Sequence, residues 1–104
     1  EHRVAGGDVN PYLMIAAVLG AALNGIEDGK MPPPAVSGNA YDVDLPQIPD
    51  SWEAAIEAFE TDPAVARIFA PELIRNYVMT KRQEYRYIQE LTDQEKIEVY
   101  LDTV

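Results

Sequence analysis

Glu1-His2-Arg3-Val4-Ala5-Gly6-Gly7-Asp8-Val9-Asn10-Pro11-Tyr12-Leu13 opens the chain, and the fold is read outward from this stretch. In an extended backbone side chains repeat every two residues, so Glu1 and Arg3 share one face and His2 takes the other. Gly6-Gly7 allows a turn, since glycine accepts positive φ. Asn10-Pro11 predicts a helix start: Asn caps free N–H groups, and Pro fits the first helical position, where no N–H is needed. A carboxylate and a guanidinium thus sit on a short strand just before a helix. The pair suits a metal ligand beside an anion clamp. It suits equally well an ordinary ion pair across one strand face, the commoner outcome for exposed charged residues.

The helix so started is predicted to run from Pro11 to about Glu27, with Gly29 as its C-terminal stop. Ala16, Ala17, Gly20, Ala21 and Ala22 give it a small-residue surface that a neighbour can approach closely. Leu13, Met14, Ile15, Val18, Leu19, Leu23 and Ile26 are spread around it and leave no wide polar stripe, so the spacing predicts a helix buried on all sides. Its partner is expected to be a sheet, or other helices, supplied by further sequence or by another chain.

Residues 30–50 change character. Pro32-Pro33-Pro34, Pro46 and Pro49 remove the donors that regular structure needs. The stretch reads as an extended surface connection with a turn near Ser37-Gly38-Asn39. Val36, Tyr41, Val43, Leu45 and Ile48 are expected to anchor it, with a free linker as the other reading.

Residues 51–104 read as a helical tail. One helix starts after Asp50-Ser51, capped by Ser51, or by Asp50 with Glu53 closing a capping box. Trp52, Ala55, Ile56 and Phe59 form its apolar face, and Glu53, Glu57 and Glu60 read as a solvated face. Asp62-Pro63 starts a short helix reaching about Phe69. Pro71 to about Leu91 is the longest helix, with Leu73, Ile74, Tyr77, Val78, Lys81, Tyr85, Ile88 and Leu91 in a three-four rhythm. Lys81 stays on that stripe by burying its methylenes. Thr92-Asp93-Gln94-Glu95 is a capping-box pattern for a last helix, either separate or a bend in the long one. Its apolar side is Ile97, Tyr100 and Leu101.

The chain of 104 residues holds at most one small domain. Its formal charge of −10 excludes nucleic acid as a partner, because no continuous basic face neutralises phosphates. Lys81, Arg82 and Arg86 cluster, but Glu84 and Glu90 are interleaved with them. The absence of cysteine excludes a disulfide framework and thiolate metal sites, and fits a cytoplasmic protein. The most apolar run, Tyr12–Leu23, is too short to span a bilayer, so no membrane association is expected. His2 is the single histidine, a residue more often packed than catalytic when alone. No Ser/His/Asp set can be assembled, and Gly6-Gly7 is not a phosphate loop.

The opening stretch, with Asn10-Pro11-Tyr12-Leu13 as its most specific part, resembles the C-terminal portion of the glutamine synthetase family. The likeness extends through Gly38-Asn39-Ala40-Tyr41-Asp42 and the closing helices. The resemblance implies that Glu1 binds one of the active-site divalent cations, and that Arg3 contacts substrate and the transferring phosphate. It implies ATP with Mg²⁺ or Mn²⁺, and a reaction that activates the glutamate side chain as γ-glutamyl phosphate for attack by ammonia or an amine. Val4-Ala5-Gly6-Gly7-Asp8 replaces the Pro-Asp element usual in ammonia-using members, and is similar to the γ-glutamyl–amine (polyamine) ligase branch. Tyr41 matches a tyrosine that some bacterial members adenylylate; an aromatic anchor for the connection is the plainer reading. A homo-oligomeric parent is also implied.

On this resemblance the chain is expected to be a fragment that begins partway through an active-site strand. It would be the C-terminal, mostly α part of an α+β catalytic domain. Residues 1–29 are the strand end and buried helix, 30–50 the proline-rich connection and 51–104 the helical tail. The fragment alone is expected to be inactive. The competing readings are a small all-helical interaction module and a structural oligomerisation piece, which periodicity alone does not separate from a ligase fragment.

Overall fold

A computed structural model describes residues 4–103, with side chains described to Leu101. Glu1, His2 and Arg3 lie outside the described residues, and with them the expected strand end. The described chain is mostly α as expected, with no strand among the described residues. Its helices are α1 (Pro11–Glu27), α2 (Trp52–Thr61), α3 (Pro63–Ala66), α4 (Pro71–Gln89) and α5 (Asp93–Thr103), with one 3₁₀ turn at Ala40–Asp42.

Local chemistry sets the helix ends. The Asn10 side-chain oxygen accepts the Tyr12 and Leu13 N–H groups at 3.0 and 3.1 Å, with Pro11 in the first turn. At the other end Gly29 has φ +62°, and the Lys30 N–H reaches the Gly25 carbonyl at 2.9 Å. The Gly29 N–H reaches Ile26 at 3.1 Å, which completes a paired C-terminal cap that only a left-handed residue allows. Ser51, rather than Asp50, caps α2 through the Ala54 N–H at 3.2 Å. Asp62 caps α3 through the Ala64 N–H at 2.7 Å. The Thr92 N–H donates to Glu95 at 2.8 Å and the Glu95 N–H returns to the Thr92 hydroxyl at 3.4 Å, so α5 is a separate helix with a capping box. The Thr92 hydroxyl also donates to the Glu95 carboxylate at 2.6 Å, and this bond, then the Thr92 N–H, holds Glu95 below the usual carboxylate range.

The core lies between α2 and α4 and their junction through α3. Ile56, Phe69, Val78 and Ile88 are buried, each contributing on the order of 1.5–3 kcal/mol by leaving water. Trp52 meets Tyr85 edge-on at 5.5 Å, and the Phe59 ring lies 5.7 Å from Phe69 and 5.3 Å from Tyr77. Lys81 behaves as read: half-buried, 2.7 Å from Glu84 and 5.9 Å from the Tyr77 ring centre.

Four expectations are corrected. α1 is not buried on all sides. Leu13, Met14, Ala17 and Val18 are half-covered, but Ile15, Leu19, Leu23 and Ile26 are 52%, 60%, 58% and 76% exposed. The other helices are too few to enclose it. The connection is not anchored within this chain either: Val36, Tyr41, Val43, Leu45 and Ile48 are all exposed, because no element crosses over them. On α2 Ala55 is exposed, and on α5 Ile97 and Leu101 face solvent, leaving Tyr100 half-covered. The bend at Gly7–Asp8 forms without positive φ, which among described glycines belongs to Gly29 and Gly38. The radius of gyration, 16.5 Å, exceeds the roughly 13 Å of a compact domain of this length. The excess reflects the proline-rich crossing and the half-covered first helix.

Candidate functional site

The segment Val4–Asn10 is the arm that leads from the Glu1-x-Arg3 motif into α1. It is exposed throughout. At Gly6 the Asp8 carboxylate folds back close to the backbone: a Cβ there would stand 2.7 Å from Asp8 Oδ1, and the exposed carboxylate would have to turn away. On one side of the arm, Val9 opens an apolar groove of about 440 Å³ between α1 and the core, continued by Leu13, Met14, Val18, Phe59 and Phe69. On the other side, Asp8 shares a groove of about 400 Å³ with Lys96, Ile97, Tyr100 and Leu101 of α5. The Tyr100 hydroxyl donates to Glu84 at 3.4 Å. Burial, then the neighbouring Glu84 charge, pushes this phenol up. Glu84 also takes the Lys81 ammonium. Burial is the largest single influence on Lys81 and opposes its charge, yet the Glu84 hydrogen bond and charge, with Tyr77 and Tyr100, together outweigh it and hold the ammonium above its ordinary value.

At its far end α1 is tied to the segment after α3. Arg67 Nη1 lies 3.0 Å from both Asp28 carboxylate oxygens, and its Nη2 is 2.9 Å from Glu27. The guanidinium holds Asp28 below the usual carboxylate range, and the two acids push Arg67 up. Asn24 donates to the Ala64 carbonyl at 3.2 Å. Neither this clamp nor the groove shared by Asp8 and α5 was legible in the sequence, because each brings together residues with no local spacing between them.

The acids of α2 do not simply face away. Glu60 pairs with Arg82 across the α2–α4 seam, one contact at 3.0 Å, and Glu53 accepts from Tyr85, which raises that phenol. They do not converge: among the described residues no group of three or more His, Asp or Glu could hold a metal ion. The described residues therefore do not form a cation site. The candidates Glu1 and Arg3 lie outside the described residues. Tyr41 sits in the 3₁₀ turn, its N–H donating to Asn39 at 3.2 Å, and its side chain is 96% exposed, so it anchors nothing in this chain. No described helix is long and apolar enough to cross a membrane.

Comparison with known proteins matches residues 1–100 to the family described as glutamine synthetase, catalytic domain. The chain is 37% identical over 84 residues to a gamma-glutamylethanolamide synthetase of Streptomyces coelicolor, covering 81% of this chain and 18% of that protein. It is 32% identical over 108 residues to a glutamate–isopropylamine ligase of a Pseudomonas species, covering 100% of this chain and 23% of that protein. It is 33% identical over 93 residues to a glutamine synthetase of Salmonella typhimurium, covering 81% of this chain and 20% of that protein. The chain thus spans about a fifth of these relatives. No solved structure matches it. With all but the last few residues inside the matched region, the chain belongs to the glutamine synthetase family.

Proposed function

We propose that this chain is part of an ATP-dependent carbon–nitrogen ligase that activates the glutamate γ-carboxylate as γ-glutamyl phosphate and joins it to an amine or ammonia. The observation that carries the proposal is the catalytic-domain match over residues 1–100, which includes the Glu1-x-Arg3 motif. That match favours a ligase over an interaction module or a purely structural piece. Two relatives with amine-type names, at 37% and 32% identity, support an amine acceptor, as does Val4-Ala5-Gly6-Gly7-Asp8. The glutamine synthetases among the relatives support ammonia as the other acceptor.

In this reading the parent is a cytoplasmic homo-oligomer that uses ATP with Mg²⁺ or Mn²⁺. A divalent cation, when bound, screens the phosphate charges. Glu1 contributes one oxygen ligand of the hard type that Mg²⁺ and Mn²⁺ prefer. Arg3 presents paired N–H donors to phosphate or carboxylate oxygens, a geometry that lysine cannot offer. Residues elsewhere in the parent supply the remaining ligands and the nucleotide pocket. Asn10 and Pro11 fix where the helix that follows the motif begins.

The test is a purified full-length parent assayed for ATP- and glutamate-dependent phosphate release with ammonia, ethanolamine, isopropylamine and putrescine in turn. Release that depends on both glutamate and one of these acceptors is expected, with an amine preferred over ammonia. No glutamate-dependent release with any acceptor would refute the reading.

A further inference from the structure

The C-terminal end of α1 is tied to α3 and the residues just after it by side chains that directly precede glycine. Asn24, half-buried and followed by Gly25, donates its side-chain N–H to the Ala64 carbonyl at 3.2 Å. Asp28, followed by Gly29, takes the Arg67 guanidinium at 3.0 Å and shares it with Glu27. Asn24-Gly25 is the one Asn-Gly pair in the sequence. A glycine nitrogen has no neighbouring side chain to hinder it, so the asparagine before a glycine is the one whose side chain the backbone attacks most readily. Within α1 that attack is blocked. The Gly25 N–H belongs to the helical ladder, bonded four residues back, and the helical backbone turns it from the Asn24 side-chain carbon. The Asn24 amide is itself engaged by Ala64.

We propose that Asn24 is a self-modifying site gated by the docking of α1: it deamidates when the end of α1 comes away from α3, and the product hinders its return. In the opened state the Gly25 nitrogen attacks Asn24 Cγ. A C–N bond forms, the Cγ–Nδ2 bond breaks, and ammonia leaves with the proton of the Gly25 nitrogen. Water then opens the cyclic imide at either carbonyl and leaves aspartate or isoaspartate at position 24. Neither product has the N–H that the Ala64 carbonyl accepts, and a carboxylate facing a carbonyl sets acceptor against acceptor. The new charge joins Glu27 and Asp28 at the end of α1, where the helix dipole disfavours negative charge. Arg67 is already taken by those two acids. Isoaspartate also lengthens the backbone by one carbon and interrupts the ladder. The inference does not use the ligase reading.

The test follows Asn24 in the full-length parent during incubation in mildly alkaline buffer, by mass spectrometry of its peptides. A free peptide of residues 20–30 is the undocked reference. The peptide is expected to deamidate at least about tenfold faster than the folded protein, which reacts only through its opened fraction. Arg67→Ala removes a polar tie, and Gly20→Ala forces α1 off Ile68. Each is expected to speed the reaction by about two- to fivefold, the opening expected from loss of a surface contact. Gly25→Ala, whose methyl meets nothing within 4 Å, is expected to suppress it. Asn24→Asp is expected to speed amide hydrogen exchange over Leu19–Ile26 and to leave Val78–Ile88 unchanged. Deamidation of the folded protein as fast as the peptide, or equal rates in the parent and both loosened variants, would overturn the gate. Unchanged exchange in Asn24→Asp would overturn the hindered return.

Discussion

Ile68 lies directly against Gly20: a Cβ on that glycine would stand 2.6 Å from Ile68 Cγ2 and 2.7 Å from its Cγ1. These atoms branch close to the backbone, so the side chain cannot swing away as a long one would. Gly25, on the same helix, has nothing within 4 Å of its Cβ position. Alanine gains up to about 1 kcal/mol over glycine in a helix interior, so Gly25→Ala should raise the stability of the chain by roughly that amount. Gly20→Ala has the same propensity gain but must separate α1 from Ile68, at about 1–3 kcal/mol, so it should be neutral or destabilising. Urea denaturation of the two variants beside the parent sequence checks this; equal stabilisation by both would show that the contact is not tight.

The clamp between Asp28 and Arg67 should weaken in acid. Asp28 is held below its ordinary value of 3.8 by Arg67, so its contribution is fully present above that value and is lost as pH falls through the lower folded-state value. Carboxyl titration by NMR should show Asp28 returning to the ordinary range in Arg67→Ala. Salt should reproduce part of that return in the unaltered chain, because the pair is at the surface. An Asp28 titration indifferent to both would remove the clamp.

Glu1→Ala and Arg3→Ala should each cripple the full-length enzyme. Loss of Glu1 should appear first as a higher requirement for the divalent cation. Loss of Arg3 should lower kcat by about 10²–10³, the usual cost of removing one donor to developing charge. The 104 residues alone should show no glutamate-dependent ATP turnover. Unchanged turnover in either variant, measured with the cation and glutamate near half-saturation, would take that residue out of the site.

The isolated chain should self-associate through α1. Ile15, Leu19, Leu23 and Ile26 are more than half exposed along a helix whose Tyr12–Leu23 stretch holds no charge. Leaving each of them wet forgoes on the order of 1.5–3 kcal/mol, against which the net charge of −10 acts only over a screened range of about 8–10 Å. Sedimentation at tens of micromolar and moderate salt should show dimers or larger species, and Leu19→Glu with Leu23→Glu should return the chain to monomer. A monomeric parent chain that binds no hydrophobic dye would contradict this.

What could be read beforehand were the features that close over two or three residues. Asn10, Asp62-Pro63, Gly29 and Thr92/Glu95 work through bonds to near neighbours, so spacing alone places them. Burial could not be read the same way. The composition of α1 asks for enclosure, but whether anything encloses it depends on other sequence, and in this chain it packs chiefly against α3 and stays open elsewhere. The same holds for Tyr41 and Ile48 in the connection, and for Ile97 and Leu101 on α5. The site motif was legible as a pattern in Glu1, Arg3 and Asn10-Pro11-Tyr12-Leu13, and the family match covers that whole segment. The groove that Asp8 shares with Tyr100 was hidden, since the two stand at opposite ends of the sequence.

The long crossing between α1 and α2 also orders events in time. Glu60 and Arg82 are 22 residues apart, whereas Arg67 reaches back 39 and 40 residues to Asp28 and Glu27. Closing the longer loop costs more chain entropy before any contact rewards it, so the α2–α4 pair should assemble early and α1 should dock late. The last part to dock on so thin a set of contacts is the first to come away. Native-state hydrogen exchange should therefore rank the amides of Leu13–Leu23 well below those of Val78–Ile88, with α1 opening while α2 and α4 stay closed. Equal protection in both helices would mean that they open as one unit.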